Sequence, residues 1–303
     1  IYPNFYALSG NYTEYIDPIT TPINNISTKS ITLVSKEWTG PDTGMSPDRI
    51  LETSIFLDTL FYRHNFYPAA PLHTVGAVPK DNEMYIMWLL DDEALAGTYP
   101  AGIGSEDTVR IATFGIPDGL IGDVTYKQTS IQCPDIDAIG DGSSASFFRV
   151  PCPGDTMLDP QAYSTMNYPI LRKIGSDFYC SLCFCGNIDP DRALGITDSQ
   201  VKWAVMWVIT KYNKDTEDWE AFQSGVTSPA TGENHFMASV GMDEKGFSTL
   251  TFAVGGPTVE PYHAMCGKAL HETVMSAPVT TLESNNPDIG MGTDIDIWRQ
   301  NIE

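Results

Sequence analysis

The clearest hydrophobic pattern in the chain is the alternation of residues 201–212, VKWAVMWVITKY. Val201, Trp203, Val205, Trp207 and Ile209 share one face. Lys202, Thr210 and Tyr212 share the other, with Ala204 and Met206 between. Side chains change face at every residue of a strand, so this spacing predicts one. A helix opening at Asp198 competes for the same residues, but β-branched and aromatic content favours the strand. The run 177–185, DFYCSLCFC, is apolar at odd and even positions alike, as in a strand buried on both faces. Further strands are expected at 30–38, 83–90, 108–115, 145–151, 235–241 and 247–254.

Two segments depart from this pattern. In 46–65, SPDRILETSIFLDTLFYRHN, Ser46 suits a helix N-cap, Pro47 the first helical position and Asp48 the first turn. Ile50, Leu51, Ile55, Leu57 and Phe61 then recur at roughly helical spacing, so a helix is expected. Residues 1–29 show neither period. Pro3, Pro18 and Pro22, with Tyr2, Phe5, Tyr6, Tyr12 and Tyr15 among them, describe an extended arm packed on a surface.

Strands joined by long loops bearing Pro and Gly, without βαβα alternation or an internal repeat, exclude doubly wound sheets, solenoids and propellers. The expected fold is mainly β: an eight-stranded antiparallel sandwich of jelly-roll type with long loops, one or two helices and an extended N-terminal arm. Residues 1–29 form the arm and 30–303 the β-sandwich domain. A two-domain β protein divided near Gly186–Asp198 is the alternative.

Charge narrows the function classes. The 303 residues carry 17 Lys and Arg against 39 Asp and Glu, a net charge of −22. Nucleic-acid binding rests on basic groups that neutralise phosphates. Arg172-Lys173 is the nearest approach to a basic run, so direct nucleic-acid recognition is excluded as the main role. No run of about 18 apolar residues is present, so no membrane-spanning helix is expected. The chain opens on Ile1, and release from a precursor is expected.

The cysteines are the densest chemistry. Cys180, Cys183 and Cys185 fall in the 177–185 strand, while Cys133, Cys152 and Cys266 are scattered. On a strand Cys183 and Cys185 face one side and Cys180 the other, which separates the Cys-x-x-Cys pair and spoils a redox dithiol or zinc knuckle. Buried thiols in a core strand are the first expectation; long-range disulfides to Cys133, Cys152 or Cys266 are the second. Asn11 and Asn25 head glycosylation sequons, which would imply secretion and paired cysteines.

Nucleophile-elbow, P-loop and zinc-protease motifs are absent. Glu37 beside Trp38, and Glu217 with Asp218 beside Trp219, are the acid pairs a glycoside hydrolase could use. The most site-like feature is NIDPDRALGITD, with Asn187, Asp189, Asp191 and Asp198 as expected calcium ligands, since hard cations take several oxygens from one loop. Asp135, Asp137 and Asp141, and Asp288, Asp294 and Asp296, form similar acidic turns.

The expected function is a non-enzymatic structural subunit of a large assembly, a jelly-roll viral capsid protein located in the virion. Its partners would be copies of itself or related subunits. A secreted glycan-binding or extracellular fibre-forming protein is the alternative, and a secreted hydrolase with an Asp/Glu pair is a third reading.

Overall fold

The computed structural model describes residues 5–15, 25–35, 55–61, 70–90, 106–115, 125–136, 150–153, 156–158, 169–188 and 202–283. These residues are mainly β, arranged in several antiparallel sheets, with no helix among them.

Three of the sheets stack. The central one has the order β14-β13-β12-β11-β5. It is built from β5 (His73–Val75), β11 (Ile170–Ile174), β12 (Asp177–Asn187), β13 (Trp203–Asn213) and β14 (Asp218–Val226). Its one parallel pairing joins β5 to β11. One outer sheet has the order β4-β6-β7-β8, from β4 (Ala70–Pro71), β6 (Glu83–Leu90), β7 (Glu106–Gly115) and β8 (Thr125–Pro134). The other runs β15-β16-β17-β18, from β15 (Asn234–Met242), β16 (Ser248–Gly256), β17 (Val259–Lys268) and β18 (Val279–Glu283). Two smaller sheets complete the description. One is β1 (Phe5–Tyr15), β2 (Asn25–Ser35) and β3 (Ile55–Phe61), and the other is β9 (Val150–Cys152) with β10 (Thr156–Leu158).

This stacking explains the apolar runs. Phe178, Cys180, Leu182 and Phe184 of β12 join Met206 and Val208 of β13 in one core, against Tyr85, Met87, Leu89, Val109 and Ile111 of β6 and β7. Tyr179, Cys183 and Cys185 join Trp203, Val205, Trp207 and Ile209 in the second core, against Phe236, Val240, Leu250, Phe252 and Val254 of β15 and β16. The central strands are therefore buried on both faces, and each fully buried large apolar side chain contributes about 1.5–3 kcal/mol. Tyr85, Tyr212 and Trp219 add an edge-to-face trio, with ring centroids 5.3–6.2 Å apart, at the end of the first core.

Cysteine geometry follows the strand period. Cys180 lies in the first core and Cys183 with Cys185 in the second. All six cysteines are buried thiols. Burial raises the Cys180 and Cys183 thiols well above their ordinary range and pushes Cys185 up to about 12.

The eight expected strands each overlap an observed one. The expected helix is corrected: residues 55–61 form β3, paired with β2 through Ile31↔Ile55 and Ile26↔Phe61. Ile55 and Leu57 fit period two as well as a helical spacing, a bulge opposite Thr28–Ser30 breaks the strand period before Phe61, and pairing with β2 decides for the strand. The remainder of 46–65 lies outside the described residues. Residues 1–29, read as an arm without strand period, hold β1 and the start of β2. These strands pair from Phe5↔Ser35 to Tyr15↔Asn25.

Candidate functional site

A cleft with polar lining lies where β12, β13 and β15 end or begin. A cleft of about 270 Å³ is lined by Pro151, Lys202, Thr231, Gly232, Glu233 and Asn234, with Ala230 and Pro257 at its margin. Gly232 takes a left-handed φ of 82° in the turn from Ala230 to Glu233, a conformation glycine adopts without a Cβ clash. The turn is closed by Glu233 N–H donating to the Ala230 carbonyl at 3.0 Å.

Four polar side chains beneath the cleft fasten strand ends. Asn187, fully buried, accepts the Lys202 N–H at 3.0 Å and so holds the end of β12 to the start of β13. Asn234 accepts the Trp203 N–H at 2.8 Å. Thr227 Oγ1 accepts the Val205 N–H at 3.0 Å and lies 2.9 Å from His235 Nδ1. The Thr227 oxygen keeps a second lone pair and its own proton, so this bond can run in either direction and serves both tautomers of the neutral imidazole. Burial, reinforced by the positive charge of Lys202, lowers His235 to about 4, so the imidazole is neutral. Its ring lies against Phe252, 4.6 Å between centroids.

Glu233 Oε2 accepts the Ala230 N–H and Oε1 accepts the Tyr262 hydroxyl, each at 3.3 Å. Burial and the neighbouring Glu233 carboxylate raise the Tyr262 hydroxyl. The carboxylate and the imidazole thus face the strands they fasten, and among the described residues Thr227, whose oxygen also serves Val205, is the hydroxyl bonded to His235.

Of the expected calcium ligands, Asn187 is placed at this corner, while Asp189, Asp191 and Asp198 lie outside the described residues. Asp135 is half-buried after β8; Asp137, Asp141, Asp288, Asp294 and Asp296 lie outside the description, as do Glu37 and His64. Among the described residues no group of three or more His, Cys, Asp or Glu could hold a metal ion. His73 and His271 are exposed, whereas His235 and His263 are buried. Asn11 and Asn25 fall on β1 and β2.

The acid pair Glu217–Asp218 is bound into the fold. Glu217 Oε2 meets Lys80 Nζ at 2.5 Å, and Asp218 meets Lys127 Nζ at 2.7 Å. Burial pushes the Asp218 carboxyl up, but hydrogen bonds from Lys127, Thr129 and the Trp219 N–H outweigh it and leave the group below its usual range. Both lysines belong to the β4–β8 side, so the pair ties the outer sheet to the β13–β14 turn. The sequence motifs singled out none of His235, Thr227, Glu233 and Asn234. Their one sequence signal is the turn-forming SPATGEN before β15.

No family model matches the chain, and no curated protein matches it. Among solved structures it is similar to a β-fructofuranosidase mutant of Microbacterium saccharophilum K-1, at 8% identity and a TM-score of 0.34. That likeness covers 87% of this chain and 53% of the other, so the chain spans about half that enzyme's length. Among the described residues no helix is long and apolar enough to cross a membrane.

Proposed function

We propose that this chain is a non-enzymatic structural subunit of a large assembly, in its most specific form a capsid protein of jelly-roll type carried in the virion. The observation that supports this reading is the use of its scarce cations. Lys80 and Lys127 tie one outer sheet to the β13–β14 turn through Glu217 and Asp218. Arg172 of β11 donates to the Met242 carbonyl of β15 at 2.9 Å. These groups hold layer to layer and stiffen a slab of three sheets, which suits a load-sharing subunit better than a catalyst. Calcium bound by Asp189, Asp191 and Asp198, next to the anchored Asn187, belongs to the same reading as a bridge between acidic copies.

Electron microscopy of the native material tests it. Shells or other regular assemblies are expected; particles of a single chain at every concentration would overturn the reading.

A further inference from the structure

The β15–β18 sheet turns alternate residues away from the second core, and its register aligns them in rows. Ser239 stands beside Thr251, Thr251 beside Met265, and Met265 beside Val279. Met265 is 39% exposed and Val279 63%. A Cβ on Gly267 would come within 2.7 Å of the Phe247 ring, so that ring, 46% exposed, rests on the same face. None of these residues carries a charge. Lys268, two positions beyond Cys266, faces inward over Trp207. The opposite outer sheet is different: Met84, Ile86, Trp88, Ala112 and Phe114, which face away from the first core, are all buried.

We propose that this uncharged face of the β15–β18 sheet is the docking surface for a second copy of the same chain, sheet against sheet. The proposal rests on the structural-subunit reading and names one contact within it. Two chains of net charge −22 repel wherever their acidic surfaces meet. A face without charge is where they can approach at least cost, whereas a basic partner would be drawn to the acidic surface instead. Val279, beside Met265, carries this uncharged face onto β18.

Size sets the strength of the contact. Four strands about 4.8 Å apart, of nine, nine, ten and five residues at roughly 3.3 Å each, give a face of about 500 Å² per copy. A standard interface buries about 800 Å² per partner. One such contact is therefore weak, and it becomes durable by repetition in an assembly.

Sedimentation velocity on the full chain tests this, across a range of protein concentration at low and high salt. The sedimentation coefficient is expected to rise with concentration, and more steeply at high salt, where repulsion is screened. Met265→Lys and Val279→Glu should each raise the concentration needed for association by about tenfold or more, because each buries an unpaired charge. Val75→Lys, at an exposed apolar position on β5, should leave association unchanged while melting curves confirm that all three variants fold. If the wild-type chain assembles and both face variants assemble equally well, the face is overturned and the subunit reading stands. If the face variants abolish a dimer and nothing larger forms, the face stands and the subunit reading falls. A wild-type chain that stays single at every concentration and salt overturns both.

Discussion

The ammonium group of Lys268 lies 5.3 Å from the centroid of the Trp207 ring, inside the core between the central sheet and β15–β18. The lysine is fully buried, and the neutral side chain of Gln223 accepts its hydrogen bond. Among the described residues no carboxylate stands within 4 Å of it. An ammonium ion held by a ring face and an amide has lost most of its hydration for partial compensation.

Lys268→Met is accordingly expected to melt at or above the wild-type temperature at neutral pH, since apolar replacement of a buried charge is often neutral or stabilising. Burial lowers the Lys268 amine below its ordinary 10.5. The unfolded chain then holds the proton where the folded chain has released it, so wild-type stability rises with pH as 10.5 is approached. The gap between Lys268→Met and wild type should narrow over that range, as thermal melts at successive pH values would reveal.

His235 gives a second pH dependence at the acid end. Its imidazole is depressed from 6.5 to about 4 by burial and by Lys202. A depressed group stabilises the fold fully above its unfolded value, and that stability is lost as pH falls from 6.5 towards 4. The loss amounts to about 3 kcal/mol across the window. His235→Asn can still hydrogen-bond with Thr227 and does not titrate, so its urea midpoint should lack that part of the slope. An unchanged slope would place the titration elsewhere.

Two glycines separate steric from conformational cost. A Cβ on Gly256 would meet the Gly232 carbonyl oxygen at 1.8 Å, backbone against backbone. Gly76 has a φ of 94° with nothing within 4 Å of its missing Cβ. Gly256→Ala should cost about 3 kcal/mol or more, and Gly76→Ala only about 1 kcal/mol. Denaturant titration of both variants gives the comparison directly.

Thiol labelling tests the cores. Cys180, Cys183 and Cys185 are buried in β12 with raised pKa values, so a water-soluble disulfide reagent should react with them only at the rate of unfolding. Rapid modification of any of the three in the native chain would contradict the two-core arrangement.

Much of the strand content was legible because burial leaves a periodic trace. β12 and β13 read directly, as apolar residues on both faces need a covered central sheet. β14 (DWEAFQSGV) escaped because it is an edge strand, with Glu220 and Ala221 exposed. β17 escaped because Pro261 and Gly267 interrupt it, the first at the irregular pairing with Val254–Gly256 and the second beside the Phe247 ring. β3 was misread because seven residues fit two periods. The corner around His235 left only the SPATGEN turn as a trace: Asn187 lies some forty residues before Thr227 and Asn234 and meets them only through the ladder β12–β13 and the loop before β15.

The parallel pairing of β5 with β11 has a consequence in time. His73 finds its partner Ile170 roughly a hundred residues later in synthesis, so the edge of the central sheet stays open until β11 has emerged. The β12–β13 and β13–β14 hairpins close locally, and loop-closure entropy puts them ahead of the β5 contact. A nascent chain halted before residue 170 would display β6 and β7 with one apolar face uncovered. Chaperone binding to this protein should therefore rise once β6 and β7 have emerged and fall when the β12–β13–β14 hairpins follow them.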